Sequence, residues 1–157
     1  MMAFEADIMK FAVETKQNID SAVREIVLTL GAEVDKRSPI GNRELWASNI
    51  YRASRGLAPL PEGYVGGHFR ANNQYGFGAK PSGEITGEDP SGKTTMNTLQ
   101  AKIALAPAAG VHYIANNVPY AVALENGHSK QAPQGIYRLA MMDVVNGIRR
   151  IVRKAIK

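Results

Sequence analysis

The chain contains no cysteine, which removes disulfide staples, thiolate nucleophiles and every zinc site that needs a Cys ligand. It also lacks a long apolar run. The most hydrophobic stretch, 103–111, is interrupted by Pro107 and Gly110 and is too short for a hydrocarbon layer of about 30 Å, so no membrane span is expected. The opening residues carry Glu5 and Asp7 in place of an unbroken apolar segment with a small-residue cleavage site. They do not read as a signal peptide, and the protein is expected to be made and kept in a cytoplasm. Histidine is scarce: His68, His112 and His128 lie far apart, none in a ligand-type pair, and each is expected at the surface or satisfied internally. What remains suits one domain over 1–157. Hydrophobic residues make up 45% and charged residues 21%, and a chain of this length can withdraw on the order of 70% of its unfolded surface from water. The net charge of +5 is compatible with nucleic acid, with an acidic protein partner or with solubility alone, and selects none of them.

Apolar residues at Phe4, Ile8, Phe11, Ile19, Val23, Ile26, Leu30 and Val34 recur mostly three or four apart and predict a long first helix. Its length leaves two readings open, a private core face or a helix that extends to pack on a neighbouring chain. Ser38-Pro39-Ile40-Gly41-Asn42 ends it. The stretch 43–67, dense in proline and glycine, reads as a long loop. Phe69, Ala71, Asn73, Tyr75 and Phe77 share one face of an expected strand. A second irregular, polar segment covers 76–95. Met96, Leu99, Ile103 and Ala106 then fall at helical spacing, closed by Pro107 and Gly110. Val111 to Ala115 has the β-branched and aromatic content of a strand, with a turn at Asn116-Asn117. The last helix is expected to start at Ala132-Pro133 and to carry Ile136, Ala140, Val144, Ile148 and Ile151 on one face. The sum is an α+β plan, a small and mainly antiparallel sheet packed against long N- and C-terminal helices, with long Gly/Pro-rich loops.

One motif points to chemistry. Gly87-Glu88-Asp89-Pro90-Ser91-Gly92-Lys93-Thr94 fits the phosphate-cradling pattern G-x-x-x-x-G-K-[ST]. That pattern works where a buried strand delivers the loop to a helix N-terminus, and residues 80–86 supply no such strand. Glu88 and Asp89 would also set two negative charges beside the phosphates, each contact costing about 1 kcal/mol or more at close range. The reading adopted is a flexible loop running into the cap of the next helix, with no nucleotide and no other cofactor or metal expected. Ser129, between His128 and Lys130, lacks the strand-to-helix elbow of a hydrolase nucleophile, so no enzyme is expected. Arg149, Arg150, Arg153, Lys154 and Lys157 gather in the last turns of the final helix, where the helix C-terminus stabilises positive charge. A solvated helix end is the reading adopted for that cluster, since interleaved aromatics for base stacking and a recognisable nucleic-acid module are lacking; transient contact with DNA passing through a ring is the functional alternative.

Two blocks carry a resemblance. The first is Ser38 to Trp46 (SPIGNRELW) followed by Gly63 to Tyr75 (GYVGGHFRANNQY); the second is Tyr113 to Ser129 (YIANNVPYAVALENGHS), running on to Gln131-Ala132-Pro133-Gln134-Gly135. Together they resemble the tail-completion and neck proteins of long-tailed bacteriophages, over most of the chain after Arg37. His68 stands where that family commonly has Arg, and Asn73 where Trp is expected. The resemblance implies a structural virion protein of the neck or upper tail end. Such a protein acts in tail completion and head–tail joining as a subunit of a six-fold ring and touches tail-tube, tail-terminator or connector proteins. The host cytoplasm is then the place of assembly and the virion the destination. The signature residues it singles out, as structural or interface positions, are Trp46, Tyr64, Gly66, Gly67, Phe69, Arg70, Asn72, Asn117, Pro119, Tyr120, Leu124, Glu125, Gly127, Ser129 and Pro133. Tyr120 and Leu124, four apart, are expected on one face of a short helix entering the core, with Gly127 permitting a turn. Glu125 and His128 are left to bond across the loop or to a neighbour. Both long loops and the first helix are expected to reach adjacent subunits, ordering on assembly. The rival readings are a non-specific DNA-binding accessory protein using the basic C-terminal helix and a nucleotide-dependent enzyme.

Overall fold

The computed structural model describes residues 2–156, with side chains from Ala6 onward; the side chains of Phe4, Glu5 and Lys157 lie outside the described residues. The apolar stripe of the first segment folds as α1, Met2–Arg37, a helix of 36 residues. Its second half is the spine of the molecule. Val27 and Val34 are buried and Val23 and Leu30 pack beside them. Lys36 and Arg37 sit in the last turn, where cations complement the helix dipole. Ser38 ends the helix through its hydroxyl, which donates to the Val34 carbonyl at 2.8 Å.

Asn42 then caps a single 3-10 turn at Arg43–Leu45, its side chain accepting from the Glu44 N–H, and α2 follows at Ala47–Ser54. The stretch 43–67 is therefore not a continuous loop. Buried Asn49 organises it: Nδ2 donates to the carbonyls of Arg43 and Leu60, and Oδ1 accepts from the Leu60 N–H. Those bonds replace the apolar periodicity that short α2 lacks. The expected strand over 69–77 is also shorter. Phe69 lies in α3, His68–Ala71, and only Gln74–Phe77 forms the strand β1. Gly67 at φ +88 turns the chain into α3, and the side chain of Asn72 bonds to its own helix at His68 O, an alternative to the ladder that Asn readily takes.

The remaining elements are α4 (Lys93–Leu105), β2 (His112–Ala115), the short α5 (Ala121–Glu125) and α6 (Tyr137–Ala155). β1 and β2 pair antiparallel with Tyr75 opposite Ile114 and Phe77 opposite His112, forming a two-stranded sheet. The α+β plan with long terminal helices holds. His112 Nε2 donates to the Ala108 carbonyl, which leaves Nδ1 to accept from the Tyr75 hydroxyl at 2.8 Å.

α4 and α6 both run antiparallel to α1. Along α6, Arg37 meets Asp143 and Lys154 meets Glu25. Along α4, Gly31 lies against Leu99 and Arg24 donates to the Ala106 carbonyl. Two apolar clusters result, one of Val34, Phe69, Val118, Ile136 and Ala140, the other of Val27, Tyr75, Leu99, Ile103 and Ala106, with Ile114 touching both. Both companions stop near residue 24 of α1. From Ala6 to Ile19 every described side chain of α1 is exposed, so the helix continues past the body as an uncovered arm. Among the described residues no helix is long and apolar enough to cross a membrane.

Candidate functional site

Polar signature residues turn out to hold the chain to itself. Of the segment 76–95, read from sequence as irregular and polar, residues 76–77 belong to β1 and 93–95 to α4, and residues 78–92 between them are bonded to the body at alternate positions. Asn117 Nδ2 donates to Pro81 O at 3.0 Å, Gln74 Nε2 to Gly83 O at 2.9 Å, and Asn72 both donates to Ile85 O and accepts from Ile85 N. His68 Nδ1 bonds Gly87 O and Nε2 bonds Glu84 Oε1 at 2.7 Å; Arg70 donates to Pro90 O at 2.6 Å. These contacts use backbone groups, so a segment with exposed side chains can still be fixed. Gly67 belongs here because a Cβ would overlap the backbone of Asp89 and Pro90, and Gly66, at φ +93, likewise abuts Ile40 and Gly41.

The helix cap expected after the loop is made by Asp89. Its Oδ2 accepts from the Thr95 N–H at 2.7 Å and from the Thr95 hydroxyl at 2.9 Å, and Ser91 Oγ donates to Oδ1. Burial pushes this carboxyl up, but the bonds from Thr95, Ser91 and Gly92 outweigh burial and hold it below its ordinary value. The first turn of α4, where the phosphate-like motif would place an anion, thus holds the chain's own carboxylate. Behind it, Asp35 faces Arg70 across 3.6 Å, both side chains largely buried, and burial raises Asp35 against the lowering effect of Arg70.

Glu125 plays the same part for α6. Oε2 accepts from the N–H groups of Ile136 and Tyr137, both at 2.8 Å, and Oε1 from Arg138 N at 3.0 Å. Burial raises its pKa, and those three donors with the Arg138 charge more than reverse the shift. This cap explains why α6 begins at Tyr137 instead of Ala132-Pro133: Gly135 at φ +89 interrupts the segment, and the helix starts where its free N–H groups meet a carboxylate supplied from α5. Gly127, at φ +83, has the Pro133 carbonyl where a Cβ would stand, so a side chain there would prise the cap apart. The blocks join through one more chain of bonds: Ser38 Oγ accepts from Asn73 Nδ2, and Asn73 Oδ1 accepts from Asn116 Nδ2 and from the Tyr137 hydroxyl.

The apolar signature residues line one cleft of about 680 Å³, with buried Phe69 at its floor, Ile40, Trp46, Tyr64, Tyr120 and Leu124 around it, and His128, Ser129 and Lys130 among the polar residues lining it. Trp46 and Tyr64 meet in a tilted contact with ring centroids 5.2 Å apart, and the Tyr120 ring lies 6.3 Å from that of Phe69. Tyr120 does not enter the core as expected. It stands just before α5 as its N-cap residue, is 41% exposed and lines the cleft, whereas half-buried Leu124 packs against the cluster of Val34, Phe69 and Ile136 as expected and also lines the cleft. His128 Nδ1 donates to Ala123 O and Ser129 Oγ accepts from Gln131 N, so both take part in loop bonding. Pro119 and Pro133 are exposed turn residues. Among the described residues no three of His, Asp and Glu converge as metal ligands.

On the far side of α6, Lys36, Arg37, Arg149, Arg150, Arg153 and Lys154 line a second groove of about 970 Å³ with Glu33 and Asp143. Arg37 is paired with Glu33 and Asp143, and Lys154 with Glu25. Sequence periodicity placed the α6 cations but not the contribution of α1, which appears only once the two helices lie antiparallel. Comparison with protein-family models, with characterised proteins and with solved structures finds no match to this chain.

Proposed function

We propose that this chain is a structural, non-catalytic protein of the long-tailed bacteriophage neck or upper tail end, completing the tail and joining it to the head as one subunit of a ring. The observation that carries this reading is the division of labour within the two resembling blocks. Their polar members, Arg70, Asn72, Asn117 and Glu125, are spent on internal caps and loop bonds, while their aromatic and apolar members, Trp46, Tyr64, Phe69, Tyr120 and Leu124, meet in one open cleft. Aromatic side chains in a concave apolar patch are what protein interfaces use as anchors. The test is genetic. Loss of the protein should leave filled heads and finished tails that do not join, and normal virions would reject the reading.

The basic groove favours a second role for the same subunit, non-specific contact with DNA. Lysine and arginine without interleaved aromatics suit phosphate binding. Neutralising Arg149, Arg150 and Arg153 should then abolish a salt-sensitive DNA affinity. Affinity that ignores salt, or survives the triple substitution, removes this role and leaves joining intact.

A further inference from the structure

The cleft and the arm lie at opposite ends of α1. The cleft is walled by residues that begin directly after the helix, at Pro39 and Ile40, whereas Phe11 stands roughly 40 Å away along the axis at about 1.5 Å per residue. No copy can fill its own cleft with its own arm. Yet the arm is built as something to be covered. Ile8 and Ile19 continue the line of Val23 and Leu30 downstream, Phe11 stands one turn from Ile8 beside that line, and Phe11 is 71% exposed. A lone helical segment of this length is marginal in water without tertiary contacts.

Charge matches the two surfaces. Asp7 and Glu14 lie four residues before and three after Phe11 and flank it on one helix face; Lys10 stands between the two carboxylates, and the patch stays negative in sum. The cleft has no acidic residue among those lining it, and Lys130 and His128 stand on its rim. We propose that the α1 arm of one copy seats Phe11 in the apolar cleft of the next copy, with Asp7 and Glu14 against Lys130. A projecting element at one end and a receptor at the other make a heterologous contact, the kind that closes into rings, and helix-in-groove recognition is its general form. The inference rests on the ring reading above and supplies its joint.

Because the chain has no cysteine, single thiols report the contact directly. Full-length Thr15→Cys and Ser129→Cys chains, with thiols one turn from Phe11 and on the cleft rim, keep Phe11, Asp7, Glu14 and Lys130; they are mixed and oxidised mildly, in parallel with Thr15→Cys alone and with Thr15→Cys plus Val145→Cys, which reports the exposed apolar row of α6. The expected result is a cross-link strongest in the Thr15–Ser129 mixture, a closed oligomer by native mass spectrometry, and an association weakened about tenfold or more by Phe11→Asp. Cross-links dominated by Thr15–Thr15 or Thr15–Val145 within a closed oligomer would overturn the arm-in-cleft joint and leave the ring standing. A chain that stays monomeric and uncross-linked through the high micromolar range would overturn the joint, while head–tail joining in the loss-of-function virus would still be judged separately.

Discussion

The arm of α1 and the 78–92 loop are opposites of what their sequences advertise. The arm is a regular helix whose apolar residues are exposed, and the loop is irregular and polar yet bonded to the body at alternate positions. Regular secondary structure is therefore not the measure of order in this protein. Order follows from where backbone donors and acceptors find partners and where apolar area finds cover. The loop is complete within one chain, and the arm is half of a contact.

The strongest way to break that contrast is to cut the body where α4 leans on α1. Leu99 is 1% exposed, and Leu99→Ala should cost about 3 kcal/mol, read by chemical denaturation. Phe11→Ala in the arm should change the monomer by less than about 0.5 kcal/mol. A comparable loss for both would mean that the arm is folded onto its own body.

Next comes the borrowed cap. Glu125→Ala strands three N–H groups at the start of α6 and should cost about 2 kcal/mol, with Glu125→Gln intermediate because it keeps one acceptor oxygen. Stability should also fall in acid. Glu125 and Asp89 are held below their ordinary values of 4.5 and 3.8. Their contribution is complete above those values and is lost as pH drops through the lower folded ones. Asp89 keeps its own acid dependence while Asp35, raised by burial, works in the opposite sense, so Glu125→Gln should flatten the acid limb and Asp89 should keep it from vanishing.

Much of the fold was legible because it is periodic. The stripes of α4, α6 and the second half of α1 repeat at spacings that burial enforces, and the strand expected at Val111 to Ala115, observed at His112–Ala115, shows in its β-branched and aromatic content. What periodicity could not show is held by single polar side chains acting across the sequence: Asn49 over 43–60, Asn72 over 68–85, Glu125 over the start of α6. Each is a bond between distant backbone segments, and a side chain's reach has no period. The signature blocks named Asn72 and Glu125 without saying which faced inward, and Asn49 lies outside them. Tyr120, expected in the core, lines the cleft, and Glu125, left open between a neighbour and the loop, caps a helix of its own chain.

The smallest effect expected sharpens the loop side of the comparison. The carboxylate of Glu84 and the Gly87 carbonyl both accept from His68, which favours its doubly protonated ring. Although burial lowers the His68 pKa, these partners raise it above 6.5. Its contribution is full below that value and fades as pH rises through the folded pKa. Amides of residues 84–88 should exchange modestly faster at pH 8 than at pH 6 after correction for intrinsic rates, and His68→Asn should remove the difference.

Hydrogen exchange on the intact chain, followed from dilute to concentrated solution, weighs arm against loop in one measurement. The account predicts that amides of 6–19 exchange quickly in the dilute monomer and become protected on association, while those of 81–90 are protected throughout. An arm already protected in the monomer, or a loop that stays unprotected at every concentration, would contradict it.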